Sequence, residues 1–379
     1  MRGACVIAAR RTAVAPRHGA FKAFEADELG AAVIAALLAD CSIPGEAIDE
    51  VIFGNALYGG GNPARLAALR AGLPDHVPAM TIDTQCCAGL DAVILAADRI
   101  RSGAADAVIA GGIESFSRSP LRLRRPRHAG EEPQPYDRPP FAPWPQRDPD
   151  MIEAAARLAN SWHITRAQQE NFAIESHAKA LQHPAGLEEI VELAGLSGDA
   201  FPRRLKPALC ARLAPLAGEA EFAVTPATVA VEADAAAALL VVSPEMARRL
   251  NAAGRLRIVA AARRGGDPAM PGTAPIAAAK AVLRSAEIAP SEILVAEIME
   301  AFASQAIACV EAIAVASAAL NRGGGALARG HPIGASGAIL MVRMWHELQH
   351  QPGGSFGLAA IAAAGGLGSA LLARVEREG

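Results

Sequence analysis

TIDTQCCAGLDAVILAADRI, residues 81–100, reads as a buried strand that turns at two adjacent cysteines into a helix. After the turn, Leu90, Val93, Ile94, Ala97 and Ile100 recur at helical spacing and make one apolar face, while Gly89 lets another backbone pass close by. Cys86 then stands at the helix N-terminus. Unpaired N–H groups and the positive end of the helix dipole favour thiolate there, so the pattern predicts a lowered pKa and a reactive nucleophile. The bland alternative is a structural cysteine, because free cysteine is among the most buried residue types.

Working outward, two parts of the chain look alike. In the first, a helix pattern from Asp27 to Cys41 precedes IPGEAIDEVIFGNAL from Ile43 and, later, ADAVIAGGIES ending at Ser115. In the second, a helix pattern from Pro275 precedes IAPSEILVAEIMEAFA from Ile288 and, later, GLAAIAAAGGLGS ending at Ser369. Such order at a common spacing predicts a duplicated α/β unit. Strands like VIFGNAL and AVIAGG are continuous apolar runs alternating with helices, so both faces should be buried, and halves packed face to face would give five layers. Between the halves, residues 120–149 carry nine prolines, a composition that sustains neither helix nor central strand. Helical patterns follow at Met151–Ser161 and Thr165–Leu181, with Thr165 and Gln168 spaced as a capping box. An inserted domain is expected there, and a cleft between an insertion and a core is a usual ligand site.

GGGALARGHPIGASGAIL, from Gly323, sets six glycines around His331 before becoming a helix. That repeats the local design around Cys86, and equivalent ends of two repeats meet at a pseudo-twofold axis, which would pair a nucleophile with its base. Composition narrows the rest. With 379 residues, 52% hydrophobic content and mean hydropathy +0.22, the chain can bury extensive cores. A net charge of -3 and 4% aromatics exclude the basic footprint and stacking platform of a nucleic-acid binder. Six cysteines without zinc-type spacing argue against a metal site and for a reducing, cytoplasmic setting. The N-terminus lacks the order of a secretory signal, and no apolar run approaches a membrane span, so no membrane association is expected.

Taken together, RT at Arg11, GNPARLAALRAG from Gly61, DTQCCAGL from Asp83, GGIESFS from Gly111, EAFA from Glu300, GHPIGASG from Gly330 and GGLG from Gly365 resemble the thiolase family over nearly the whole chain. ITRAQQENFAIESHAKA from Ile164 is similar to a helix of that family's loop domain. The resemblance implies an α/β fold of two duplicated αβαβα halves: 1–117 plus 236–256, and 257–379, with 118–235 as the inserted loop domain. It implies acyl transfer by a ping-pong route, with no bound cofactor and a coenzyme A thioester as substrate. Cys86 would take the acyl group with His331 as its base, Ala364 would offer a backbone oxyanion donor, and Ala230, Phe302 and Gly330 would touch substrate. A homodimer or homotetramer is implied as well.

Two positions depart from the family pattern. Ala362 stands where a second cysteine removes the α-proton, and Met299 where an asparagine stabilises the enolate; a methyl group accepts no proton, and a thioether is a weak acceptor. Ala364 also replaces a glycine, and Ala230 a serine of a pantetheine-contacting loop. The expected consequence is an altered or impaired carbon–carbon step beside an intact acylation step. A decarboxylative condensing enzyme, an acyl shuttle and a non-catalytic subunit are the alternatives.

Overall fold

The computed structural model describes residues 3–252 and 254–377. In the first half the strands are β1 (Cys5–Thr12), β2 (Glu50–Gly54), β3 (Ala79–Ile82), β4 (Ala107–Glu114) and β5 (Ala233–Val242), with helices α1 (Ala26–Cys41), α2 (Pro63–Arg70) and α3 (Ala88–Ser102). The region from 118 to 232 contributes α4 (Met151–Ser161) and α5 (Arg166–Gln182), the latter capped by Thr165 and Gln168 as the sequence predicts. The second half repeats the order with β6 (Gly254–Gly265), α6 (Ala274–Ala286), β7 (Ile293–Ile298), α7 (Ala303–Ile313), α8 (Ile333–Leu348), β8 (Phe356–Ala363) and β9 (Leu367–Arg377). The counterpart of β3 shrinks to a single bridge, Ala296 to Leu320.

Strand alternation builds the layers. On β5, Ala235, Ala237, Leu239 and Val241 face the core around α3 and α8, whereas Ala236, Ala238, Leu240 and Val242 face α1 and α2. On β9, Leu371 and Ala373 face the same central layer, and Ala370 and Leu372 face α6 and α7. Helix, sheet, helix, sheet, helix is the result. The halves also meet edge to edge, where β1 pairs antiparallel with β6 at Cys5–Arg257 and Val6–Leu256. The strands therefore form one hydrogen-bonded path, β7-β8-β9-β6-β1-β5-β4-β2-β3, where the sequence suggested only face-to-face packing.

Within the central layer α3 and α8 cross at glycines. A Cβ on Gly89 would lie 2.7 Å from the Ala338 nitrogen, and one on Gly337 would lie 2.4 Å from the Leu90 nitrogen. Bare backbone at both positions lets the helix starts approach, and those starts carry Cys86 and His331.

Glu297 shares the inward face of β7 with Val295, is 0% exposed, and has no hydrogen-bond partner for either carboxyl oxygen among the described residues. Burial pushes its pKa up to about 7 against the pull of Arg343 and Arg329. A group whose folded pKa is raised loses its contribution to stability as pH climbs from the unfolded value, 4.5, through about 7. Glu297→Gln removes that loss. The variant is expected to unfold about 2–4 °C higher than the parent at pH 8 and at nearly the same temperature at pH 5. Equal shifts at both pH values in a thermal melt would contradict the assignment.

Candidate active site

β3 ends at Ile82, and the chain then turns through Asp83, Thr84 and a single 3-10 turn, Gln85–Cys87, before α3 begins at Ala88. Gln85 takes a left-handed backbone, φ 54°, which costs a residue with a side chain about 1–2 kcal/mol. Asp83 offsets part of that by accepting from the Gln85 backbone N–H at 2.8 Å and from its amide Nε2 at 2.9 Å. The kink gives two neighbouring thiols different surroundings. Cys86 faces a cleft, whereas Cys87 is 0% exposed and donates to the Ile361 carbonyl at 3.5 Å.

On the other side, His331 follows Gly330, whose φ of 115° and 2.8 Å clearance between a built Cβ and the Ala233 Cβ admit only glycine. The His331 backbone N–H donates to Val231 at 2.7 Å, tying the turn to the end of the insertion. Its ring spans two partners, with Nε2 3.2 Å from Cys86 Sγ and Nδ1 2.6 Å from Ser336 Oγ. Ser336 donates its own hydroxyl to the Pro332 carbonyl at 2.9 Å. The serine oxygen is then left to accept Nδ1–H, so Nε2 presents its lone pair to the thiol.

Ser336 was not among the residues singled out from the sequence. The available signal was its place in the first turn of α8, where side chains lean back toward the N-terminus and thus toward His331. Losing one such hydrogen bond is worth about 1–1.5 kcal/mol, roughly tenfold in rate. Ser336→Ala should therefore slow acylation of Cys86 about tenfold, and Ser336→Thr should restore most of it. Stopped-flow measurement of acylation checks this, and an unaltered rate in Ser336→Ala would remove serine from the relay.

The electrostatics correct one expectation. Burial pushes the Cys86 thiol up to about 12, outweighing the lowering by its own backbone N–H and by that of Ala364, and Glu114 and Asp83 raise it further. Position before a helix does not produce a thiolate here. Burial likewise lowers His331 to about 4. At neutral pH the resting pair is thiol and neutral imidazole. Glu114, under the turn, accepts from Asn55 Nδ2 at 2.9 Å and from the backbone of Ala56 at 3.0 Å, Leu57 at 3.3 Å and Gly334 at 2.9 Å. Those donors lock the start of α8 against the Asn55 loop, and so fix where His331 stands.

Sγ opens into a cleft of about 180 Å³ between α4 of the insertion and the ends of β8 and α7. Its walls are apolar, with Met151, Ala154 and Leu158 on one side and Phe302, Ala230 and Ala362 among the rest. Cys86 and His331 are the cleft-lining residues that ionise. Ala364 lines it too and keeps a negative φ, the left-handed positions falling to Gly365 (φ 77°) and Gly366 (φ 79°). The alanine thus presents its N–H to Sγ without strain. Gly330 is not part of the wall, and Met299 is buried between the sheets with 1% exposure, its backbone N–H donating to Ala360 at 2.9 Å.

The chain that carries this arrangement, a cysteine and a histidine at the starts of two helices, is similar to known proteins along its length. Residues 4–245 match the thiolase N-terminal domain and residues 253–375 the thiolase C-terminal domain. The chain belongs to the thiolase family. A Bacillus subtilis relative provisionally named acetyl-CoA C-acetyltransferase YhfS is 38% identical over 377 residues, 98% of this chain and 99% of its own. A Staphylococcus epidermidis relative provisionally named acetyl-CoA C-acetyltransferase VraB is 36% identical over 383 residues, 98% of each chain. Human mitochondrial 3-ketoacyl-CoA thiolase, solved in complex with CoA, superposes with TM-score 0.89 at 26% identity, covering 99% of this chain and 98% of that one.

Within this thiolase fold no other cysteine reaches the cleft wall. Cys309 is buried against Gly272, its Sγ donating to that carbonyl at 3.3 Å, and Cys210 is buried within the insertion. Glu300, next to Met299, turns away to accept from Ser176 at 2.7 Å and Asn321 at 2.6 Å. Among the described residues no group of three or more His, Cys, Asp or Glu is placed to hold a metal ion, and no helix is long and apolar enough to cross a membrane.

Proposed function

We propose that this thiolase-family chain is an acyltransferase that forms an acyl-Cys86 intermediate from a coenzyme A thioester and has an altered carbon–carbon step. The observation that carries the proposal is the 3.2 Å approach of His331 Nε2 to Cys86 Sγ at the end of an apolar cleft. As Sγ attacks the thioester carbonyl, Nε2 takes the thiol proton, so charge separates only when the bond forms. The backbone N–H groups of Cys86 and Ala364, which already point at Sγ, are near the developing oxyanion. Collapse expels the coenzyme A sulfur, and imidazolium returns the proton to it. The cleft, lined by Ala230 and Phe302, would take the pantetheine arm, with Ala230 lacking the hydroxyl that a serine would supply.

As part of the same proposal, residues 1–117 with 236–256 form the first half, 118–235 the loop domain and 257–379 the second half. The protein acts in the cytoplasm, a reading supported by its six free cysteines, as a homodimer or homotetramer, a reading supported by family likeness. Light scattering coupled to gel filtration tests the last.

Intact-protein mass after incubation with acetyl-CoA and longer acyl-CoAs, repeated on Cys86→Ala, tests the central claim. An adduct confined to the parent supports it; no adduct with any donor defeats it.

The pH dependence follows from the neutral pair. With His331 near 4 and Cys86 near 12, the reactive protonation state holds between those values, so the acylation rate should be flat from about pH 5 to 9 and fall as His331 protonates toward pH 4. In His331→Ala the thiol must ionise unaided. That variant should be about 10²–10⁴-fold slower at pH 7 and gain about tenfold per pH unit up to pH 10. A parent rate that climbs in the same way would show that His331 is not the base.

A further inference from the structure

We propose that the acyl group taken up by Cys86 bears a hydroxyl on its chain, received by Gln305 in the wall of the cleft. This rests on the acyl-enzyme reading above and names its substrate class. Gln305 follows Phe302 by three residues at the start of α7, so the two share a helix face, and both line the cleft. Phe302 is joined to Val229 by a backbone bridge, and Ala230 donates its N–H to the Ala301 carbonyl at 3.0 Å, which closes the side assigned to the pantetheine arm. Gln305 packs instead with Gly272 and Leu158: a Cβ built on Gly272 would lie 3.2 Å from Gln305 Cγ and 3.0 Å from Leu158 Cδ1. That wall, completed by Pro271 and by Met151 and Ala154 of α4, is left for the acyl chain.

Within an otherwise apolar wall Gln305 is the odd member. It is 2% exposed, yet its Oε1 has no hydrogen-bond partner among the described residues. Which end of the amide is bare follows from the chemistry next to it. Cys309 Sγ gives its proton to the Gly272 carbonyl at 3.3 Å and can only accept from Gln305, so the amide end 3.4 Å away is Nε2 and the bare end is the carbonyl oxygen. Of the lining side chains, Gln85, Cys86 and His331 carry protons to donate, and each is held on another partner: Gln85 on Asp83 at 2.9 Å, Cys86 on His331 at 3.2 Å and His331 Nδ1 on Ser336 at 2.6 Å. A buried acceptor left bare is unfavourable, and a ligand that brings a donor removes the penalty.

Donor chemistry then selects among acyl chains. A plain alkyl chain leaves Oε1 bare. A carboxylate brings only acceptors and meets no lysine or arginine in the lining, and an ammonium ion gives up its hydration with no carboxylate to receive it. A hydroxyl is neutral and supplies the one proton that Oε1 lacks. An amide N–H of the pantetheine arm carries the same kind of proton, but the two sources differ in consequence. A chain hydroxyl ties Gln305 to discrimination between acyl groups, whereas an arm amide ties it to every coenzyme A thioester alike.

The test measures acylation of the whole wild-type protein by stopped flow and intact mass, with ω-hydroxyacyl-CoAs from butanoyl to octanoyl, each beside the alkyl acyl-CoA of matching length. It is repeated on Gln305→Met, which keeps the stem and removes the amide. Expected is at least one hydroxylated member whose second-order acylation rate is about tenfold above that of its alkyl partner, the worth of one hydrogen bond, and a ratio that falls to about one or below in Gln305→Met. A ratio of one or less for every pair in the wild type overturns the proposal whether or not the variant folds, and is the result if water alone satisfies Oε1. A ratio above one that survives in Gln305→Met overturns it too, including the case in which the variant slows all donors in equal proportion because the amide holds the pantetheine arm. If no thioester, hydroxylated or plain, leaves an adduct on Cys86, the acyl-enzyme reading fails and this one with it; adducts that form at hydroxyl-blind rates remove this one alone.

Discussion

Cys86→Ala should lose acyl transfer by about 10⁵- to 10⁶-fold while keeping its fold, because a nucleophile and its base act as a unit and nothing else in the cleft can replace the sulfur. Cys87 is the tempting substitute by sequence, yet it is 0% exposed, engaged with the Ile361 carbonyl and absent from the cleft lining. Cys86 is only partly buried at the cleft end, and truncating a thiol there opens a small, solvent-reachable space. A stability loss of no more than about 1 kcal/mol is expected, within the range for substitutions away from the core. Two readouts separate the outcomes: thermal melting to show that the variant is folded, and intact mass after acetyl-CoA. A folded variant that still carries an acetyl adduct would place the nucleophile elsewhere and end the present reading of the site.

Ala362→Cys combined with Met299→Asn is expected to raise formation of acetoacetyl-CoA from acetyl-CoA by about 10⁴-fold or more. The estimate multiplies a general base, roughly 10²- to 10⁴-fold, by a donor that steadies the enolate, roughly 10²- to 10³-fold. Ala362 lines the cleft with Ala364, so a thiol grown from its Cβ enters the space in which a second substrate must lie. Met299 is behind that wall at 1% exposure, and an asparagine there must find partners or cost about 1–3 kcal/mol. The double variant should accordingly melt lower than the parent, and Ala362→Cys alone should supply the general-base share of the gain, roughly 10²- to 10⁴-fold, at little cost in stability. Coupled assay of acetoacetyl-CoA decides it. If both variants are folded and acylate normally but produce no more condensation product, the loss of those two side chains is not what limits carbon–carbon chemistry.

Much of this was visible in the residues. Period-3.6 spacing after Cys86 and continuous apolar runs in VIFGNAL and AVIAGG predicted α3, β2 and β4, and the repeated order of segments predicted the duplicated unit. These are local signals, set by which side chains can be buried on one face. The edge pairing of β1 with β6 was not visible, because two residue pairs of backbone hydrogen bonding leave no mark on side-chain pattern. Ser336 escaped notice for a related reason: a serine in a glycine-rich turn has many ordinary roles, and only the direction of its hydroxyl toward Pro332 reveals that it accepts the hydrogen bond from His331 Nδ1–H.

The Cys86 thiol shows the limit most clearly. Sequence determined that a cysteine would precede a helix and that a histidine would precede the matching helix of the second repeat, while the family resemblance implied a cysteine position at Ala362 and an asparagine position at Met299. Whether Cys86 is thiolate or thiol was decided by tertiary structure alone. The stabilising N–H groups are short-range and can be inferred from a helix start, but the opposing desolvation depends on how much protein closes around the sulfur from distant segments. The glycine crossing of α3 and α8 brings that protein in, and the same crossing sets His331 3.2 Å from the sulfur it serves.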